Sequence, residues 1–240
     1  MTDWTTVVLL GLALTAGSFV QASIGFGMAV VAAPFIVVFA PALMPTALLV
    51  TSMSLPVVQL VHAPRQIAWR PLRWALGAQL LLTPAGVALV AVLSPPAIAT
   101  TVGVLILLTV AASVWAVEVR ASARNAALAG AVSGVSATAA SISGPFLALV
   151  LQHERPERLR ATLAVFLLAG SAMAIAGLAF AGEITPGRVL AGVAWAPFVA
   201  LGYAAAAPMR THLDRGRLRT AVLWFCVIAS LSVIARAVIA

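Results

Sequence analysis

The sequence contains no lysine, and its 240 residues include only 6 acidic side chains, 1 cysteine and 1 tyrosine. Charged residues make up 8% of the chain, against about 25% in a soluble domain of ordinary composition. Charge this sparse excludes a water-soluble enzyme and a disordered chain, both of which depend on polar surface. Cys226 stands alone inside an apolar run, which excludes a disulfide framework and a multi-cysteine metal site. The acidic residues Asp3, Glu118, Glu154, Glu157, Glu183 and Asp214 all fall in gaps or at segment ends. None is placed to hold a metal or relay a proton at membrane depth, so no metal or cofactor is expected. No basic residue precedes the first apolar stretch, so a cleaved leader is not expected and that stretch should stay with the chain.

What the sequence does have is apolar length: 63% hydrophobic residues and a mean hydropathy of +1.12. That is the composition of a polytopic membrane protein lying in a bilayer. The net charge of +8 comes from arginines in short gaps between apolar runs. This is the distribution of topology determinants, not of a stripe that tracks phosphates, so no nucleic-acid partner is expected. His62, His153 and His212 also sit at segment ends, as interfacial residues do.

Breaks in hydropathy divide the chain into apolar pieces at about 4–20, 27–40, 43–61, 72–93, 97–117, 125–135, 145–152, 159–181, 187–208 and 218–238. Crossing a bilayer takes about 20 helical residues. By that measure 43–61, 72–93, 97–117, 159–181, 187–208 and 218–238 are expected to cross. The piece 145–152 is too short and runs into His153, Glu154 and Arg155. It is expected to start at depth, after a turn over Ser141-Ile142-Ser143-Gly144-Pro145, where Gly-Pro stops one helix and opens another. The stretch Gly17 to Gly27 is expected to interrupt the first half in the same way.

Pro34-Phe35-Ile36 and Pro145-Phe146-Leu147 lie 111 positions apart, and each broken hairpin precedes three long segments. The layout reads as an internal duplication, with repeats at 1–120 and 121–240. If each hairpin returns to its own face, every arginine except Arg188 and Arg236 falls on one side, which is then cytoplasmic. Both termini lie outside. Three crossings per half give the repeats inverted topology. The expected fold is therefore an all-α polytopic membrane protein of two inverted repeats, each a broken or re-entrant hairpin plus three transmembrane helices.

Inverted repeats with interrupted helices are a transporter architecture, with the ligand held near the midplane. Helix N-termini carry unpaired N–H groups and about half a positive charge, so two of them facing one cavity form an anion site without buried arginine. The candidate site residues are Gln21, Ser23, Gly25, Phe26 and Gly27 from the first turn. The second supplies Thr138, Ser141, Ser143, Gly144 and Pro145. Ser136 is a further hydroxyl near the second turn. Small residues also mark close packing of membrane helices, and packing is the favoured reading for Gly17, Gly130 and Ser133. Pro84 and Pro197, inside long segments of the two halves, are expected to kink their helices.

At these motifs the chain resembles the TauE/SafE sulfite exporter family of membrane transporters. Val20-Gln21-Ala22-Ser23-Ile24-Gly25-Phe26-Gly27 is similar to a family element that has glycine where Ala22 stands. Ser143-Gly144-Pro145 and Arg160-Ala161-Thr162-Leu163-Ala164 are similar to two more elements. Phe146 stands where a second proline is common, and Ala137-Thr138-Ala139-Ala140 lacks a glycine usual there. The resemblance implies a bacterial inner-membrane protein that exports sulfite or an organosulfonate such as sulfoacetate, with Arg160 at a cytoplasmic entrance. It implies no enzymatic activity, and the serines at depth have no histidine, lysine or carboxylate beside them to act as a base. The alternative is an anion channel, or a carrier of another small anion, built on the same midplane site. The sequence leaves the oligomeric state open.

Overall fold

A computed structural model describes residues 4–24, 27–62, 66–115, 119–209 and 214–239. Every regular element among them is helical. In the first half these are α1 (Trp4–Ile24), α2 (Met28–Phe39), α3 (Thr46–His62), α4 (Trp69–Val92) and α5 (Pro95–Trp115). In the second they are α6 (Ala123–Ala140), α7 (Gly144–Val150), α8 (Pro156–Phe180), α9 (Pro186–Ala194), α10 (Ala196–Met209) and α11 (Arg215–Ile239). A 3-10 turn over Pro41–Leu43 joins α2 to α3.

Six segments are long and apolar enough to cross a bilayer: Thr5–Ile24, Trp69–Val92, Pro95–Val114, Pro156–Phe180, Pro186–Met209 and Gly216–Val238. Large apolar side chains such as Leu81, Val92, Phe180 and Leu190 stand exposed on them. In water such a surface would aggregate; in a bilayer it faces lipid. Trp69 and Trp74 are also exposed at the start of α4, where an interfacial anchor belongs.

Three local expectations are corrected. First, α1 runs unbroken through Gly17 to Ile24 and is long and apolar enough to cross, while Gly27 belongs to neither α1 nor α2. Gly17 does not break the helix, because its role is contact: a Cβ there would lie 2.7 Å from the Met28 carbonyl oxygen. Second, the piece 43–61 becomes α3, a 17-residue helix. Its rise of about 25 Å falls short of the roughly 30 Å hydrocarbon core. Third, Pro34 and Pro145 occupy different places, since Pro34 lies inside α2 and Pro145 in the first turn of α7. The corresponding features are the helix starts themselves, capped by Gly27 and Ser143. The two paired prolines also differ: Pro84 lies within continuous α4, whereas Pro197 follows the break at Trp195 between α9 and α10.

The two sets of helices clasp each other. Helix α1 packs along α10, and α6 packs along α4. Both contacts use bare backbone. A Cβ on Gly130 of α6 would collide with the Ala75 carbonyl, and one on Gly134 would lie 2.6 Å from the Gln79 carbonyl oxygen. On the other side, a Cβ on Gly202 of α10 would collide with the Thr15 carbonyl. Ser18 Oγ donates to the Val199 carbonyl at 2.7 Å, and Thr15 Oγ1 to that of Phe198 at 3.0 Å. Small residues let membrane helices approach this closely, and hydroxyls then bond across the seam.

Helices α3 and α8 run antiparallel, with Leu49 packed near Ala174 and Leu178 while Thr162 Oγ1 accepts from the Ala68 N–H at 2.9 Å. Helices α5 and α11 are antiparallel too: Gly103 faces Ile234, and Arg219 donates to the Ser113 carbonyl at 2.6 Å. Phe35 of α2 stacks on Phe225 of α11 with ring centroids 5.8 Å apart.

Gln79 of α4 is fully buried, and neither atom of its amide has a hydrogen-bond partner. It fits only because residue 170 of α8 is glycine, since a Cβ there would collide with the amide nitrogen. Removing an unpaired polar group while keeping its shape is stabilising. Gln79→Met is therefore expected to raise stability by about 1–3 kcal/mol. Thermal melting of the purified protein in detergent would show this as a higher midpoint; a lower midpoint would mean the amide is needed.

Candidate functional site

The two interruptions meet. Gly27, the residue before α2, lies against Pro145 of α7, close enough that a Cβ would touch the proline ring at 3.6 Å. Between them opens a cleft of about 340 Å³, its mouth included. One wall is the start of α2, Gly27 to Val30, with Gln21 behind it. The facing wall is the second turn, Ser141 to Pro145. Ser52 of α3 and Leu167 and Ser171 of α8 complete the lining. That figure counts the open space at the mouth, so the enclosed part of the cleft is much smaller.

Each turn is held by side chains of its preceding helix. Ser141 ends α6 in the left-handed conformation, with φ 59° and ψ 23°. Its N–H and that of Ile142 return to the carbonyls of Ala137 and Ser136. Ser133 Oγ then donates to the Ser143 carbonyl at 3.0 Å, and Ser136 Oγ to the Ile142 carbonyl at 2.5 Å. The hydroxyls pull these carbonyls back toward α6. A carbonyl turned away from a cavity leaves the positive side of the peptide dipole toward it. Ser133 and Ser136 thus shape the turn without lining the cleft.

In the first turn, Gln21 Oε1 accepts from the Met28 N–H at 2.5 Å. The side chain takes one of the free donors of α2. With its oxygen so committed, the carboxamide keeps its NH₂ end, which offers two donors in place of one. At α7 the helix is only seven residues long, and Pro145 has no N–H to offer. Its dipole is correspondingly small, so side-chain donors matter more at this site than paired helix ends alone suggest.

Among the candidates from the sequence, Gln21, Gly27, Ser141, Ser143, Gly144 and Pro145 line the cleft. Gly25 and Phe26 lie outside the described residues. Thr138 is fully buried elsewhere; its hydroxyl donates to the Gly134 carbonyl at 2.9 Å and its Cβ faces Gly86 of α4. Ser23 is part-buried with an unpartnered hydroxyl and is not a lining residue. Arg160 is exposed near the start of α8, roughly 10 Å along the helix from Leu167, and does not line the cleft. Ser52 and Ser171 escaped the sequence reading. A single serine inside a long apolar segment carries no signal of its own, and only their spacing of 119, which also separates Gly11 from Gly130, could have drawn attention to them.

The acidic residues Glu154, Glu157, Glu183 and Asp214 stand away from the cleft lining. Among the described residues no group of three or more His, Cys, Asp or Glu is placed to hold a metal ion. The site is built of backbone, amide and hydroxyl groups in an apolar frame.

A model of the family described as Sulfite exporter TauE/SafE matches residues 9–233 of the chain. No curated protein and no solved structure matches it.

Proposed function

The chain belongs to the TauE/SafE sulfite exporter family, and on that premise we propose that it exports a small sulfur-containing anion, sulfite or an organosulfonate such as sulfoacetate, through the cleft between the α1–α2 and α6–α7 turns. The observation that carries this reading is the contact of Gly27 with Pro145, which joins both interruptions in one small cleft with polar groups on its walls. Backbone amides, the Gln21 amide and serine hydroxyls attract an anion without fixing a full positive charge, so the ligand can leave again.

The antiparallel pairs α3/α8 and α5/α11, and the matched contacts α1/α10 and α4/α6, support two inverted repeats at 1–120 and 121–240. In that arrangement alternating access is rocking of one set of helices against the other about the fixed cleft. The starts of α4, α6, α8 and α11 carry Arg70, Arg73, Arg124, Arg158, Arg160, Arg217 and Arg219, while Arg188 and Arg236 lie at the other ends of the spans. This bias supports the arginine-rich end as cytoplasmic and both termini as outside, in the bacterial inner membrane. An interior-negative potential then drives efflux, at about 2.3 kcal/mol per charge per 100 mV. The family matched is one of transporters, which supports reading the cleft as a carrier's site.

The test is flux in proteoliposomes, offering sulfite, thiosulfate, sulfate, sulfoacetate, taurine and chloride with and without a pH gradient. Saturable, electrogenic flux of one or two sulfur anions is expected. Flux that does not saturate would make the protein a channel, and silence toward every sulfur anion would move the substrate to another class. Because the described carboxylates sit at helix ends, no proton relay is expected. Glu183, for example, lies 4.0 Å from Arg188 at the turn into α9. Glu154→Gln, Glu157→Gln and Glu183→Gln should each keep the initial rate within about twofold. Complete loss in any one of them, with normal expression, would replace the uncoupled mechanism by a coupled one.

A further inference from the structure

We infer that Ser52 and Ser171 are the residues that make the cleft select pyramidal oxyanions, a sulfur bearing three oxygens, over planar carboxylates and halides. The inference rests on the anion-site reading above and adds two residues and a selection rule to it.

Both serines line the cleft, and they come from helices that pack against each other in opposite directions. Ser52 Oγ is buried and has no hydrogen-bond partner. Many helical hydroxyls here bond the carbonyl four residues back, as Thr51 does to Ala47, Thr83 to Gln79, Thr138 to Gly134 and Thr162 to Arg158, all at 2.7–2.9 Å. The buried hydroxyls of Ser23, Thr46 and Ser230 are unpartnered like that of Ser52, but none of those three residues lines the cleft. Back-bonding is the default because it satisfies a hydroxyl locally in an apolar medium. Ser52 forgoes it, next to a cleft, where an acceptor brought in by a ligand would satisfy it. Ser171 is 5% exposed and sits one turn beyond Leu167, whose side chain packs 3.4 Å from the Cβ position of Gly144. That contact sets this stretch of α8 beside the second turn, with Ser171 among the residues lining the cleft.

Three side chains therefore offer donors to one cleft from three helices: Gln21 of α1, Ser52 of α3 and Ser171 of α8. Donors from three directions suit three oxygens that are not in a plane with the atom bearing them. A carboxylate has two oxygens in one plane and leaves a donor unpaired. A halide has one centre and cannot reach opposite walls together. A site built to bond an oxygen discriminates strongly against a ligand that lacks it, since the buried donor is then left empty.

The experiment is ligand-induced thermal stabilisation of the purified full chain in detergent, with sodium sulfite, sodium acetate and sodium chloride as probes. A ligand that binds only the folded state raises its melting midpoint with concentration, which gives a dissociation constant. Sulfite is expected to stabilise the wild type more than acetate or chloride does. Ser52→Ala and Ser171→Ala should each weaken sulfite about tenfold, and the double variant about a hundredfold, with acetate and chloride moving less than about twofold. Ser171→Thr, which keeps the hydroxyl, should stay near the wild type, as should Ser232→Ala, whose hydroxyl bonds the Ile228 carbonyl on an exposed face of α11. A wild type that sulfite does not stabilise, alanine variants that bind sulfite like the wild type, or acetate and chloride affinities that fall in parallel with sulfite would each overturn the inference. Selective sulfite binding by a protein that shows no flux would leave the inference standing and sink the transport reading instead.

Discussion

Gly27→Val is expected to insert and fold normally and to transport nothing. The backbone at Gly27 has φ −38° and ψ 134°, on the side of the map open to L-residues. An added Cβ would lie 3.6 Å from Pro145 and 3.7 Å from Val30, which is ordinary contact. The fold therefore does not require glycine there. What a side chain would take is the cleft. Valine adds two methyl groups beyond the Cβ to a space of about 340 Å³ whose mouth is part of that volume. Gly144→Val has the same character: its Cβ would meet Leu167 at 3.4 Å and its methyl groups would stand beside the second turn. Sulfite uptake into proteoliposomes should fall at least about a hundredfold for either valine, as loss of a bound geometry commonly costs. Gly27→Ala should fall between the wild type and valine. Elution of the detergent-purified variants as single folded species must accompany the loss. Uptake at the wild-type rate by Gly27→Val would remove the cleft from the transport path.

Gly130→Val is expected to do the opposite, destroying the fold before function can be measured. A Cβ on Gly130 collides with the backbone carbonyl of Ala75, and backbone cannot rotate away as a side chain can. The neighbouring contacts repeat the constraint, with Gly134 against the Gln79 carbonyl and Gly86 against Thr138 and the Gly134 carbonyl. Overpacking a core costs about 1–3 kcal/mol where side chains can shift. Here α4 and α6 must separate along their length, so the loss should exceed that range against a total stability of about 5–15 kcal/mol. Gly202→Val should fail similarly at the α1–α10 seam. Gly77→Ala is the matched control, because nothing lies within 4 Å of its Cβ position on the exposed face of α4. Size-exclusion profiles and melting midpoints would separate the three. A monodisperse Gly130→Val with a normal midpoint would show that the two helices are not held by backbone contact.

How much of this was readable in advance depended on what each residue does alone. Apolar length marks a helix whatever surrounds it, so the long segments were legible. The two interruptions were legible because Gly27 and Ser143-Gly144-Pro145 stand where a helix starts anew, and glycine and proline favour such a start by local chemistry. Gly17 was legible as a packing residue, which its closeness to the Met28 carbonyl bears out, but the expected interruption was drawn to begin there because the same absent side chain can also break a helix. Thr138 misled: in a helix its hydroxyl is satisfied by Gly134, one turn back, whichever way the helix faces. Gln21 was legible as a site residue but not as the cap of α2, because its partner lies across the turn. Ser52 and Ser171 were invisible because their meaning comes from a shared cleft between α3 and α8, which spacing along the chain does not reveal.

The clasp of α1 on α10 and of α6 on α4 has a mechanical consequence. Each seam joins a helix of one half to a helix of the other, with backbones so close that a Cβ at Gly130, Gly134 or Gly202 would meet a carbonyl, and packing this tight resists sliding. Whatever rocks in this molecule is therefore not one half of the chain against the other. The stiff bodies are mixed: α1 travels with α10, α6 travels with α4, and each carries one of the two turns. The covalent order and these stiff bodies are cut along different lines, so on the proposed alternating access the cleft would open or shut by shifting one turn past the other at Gly27 and Pro145, while both seams stay closed.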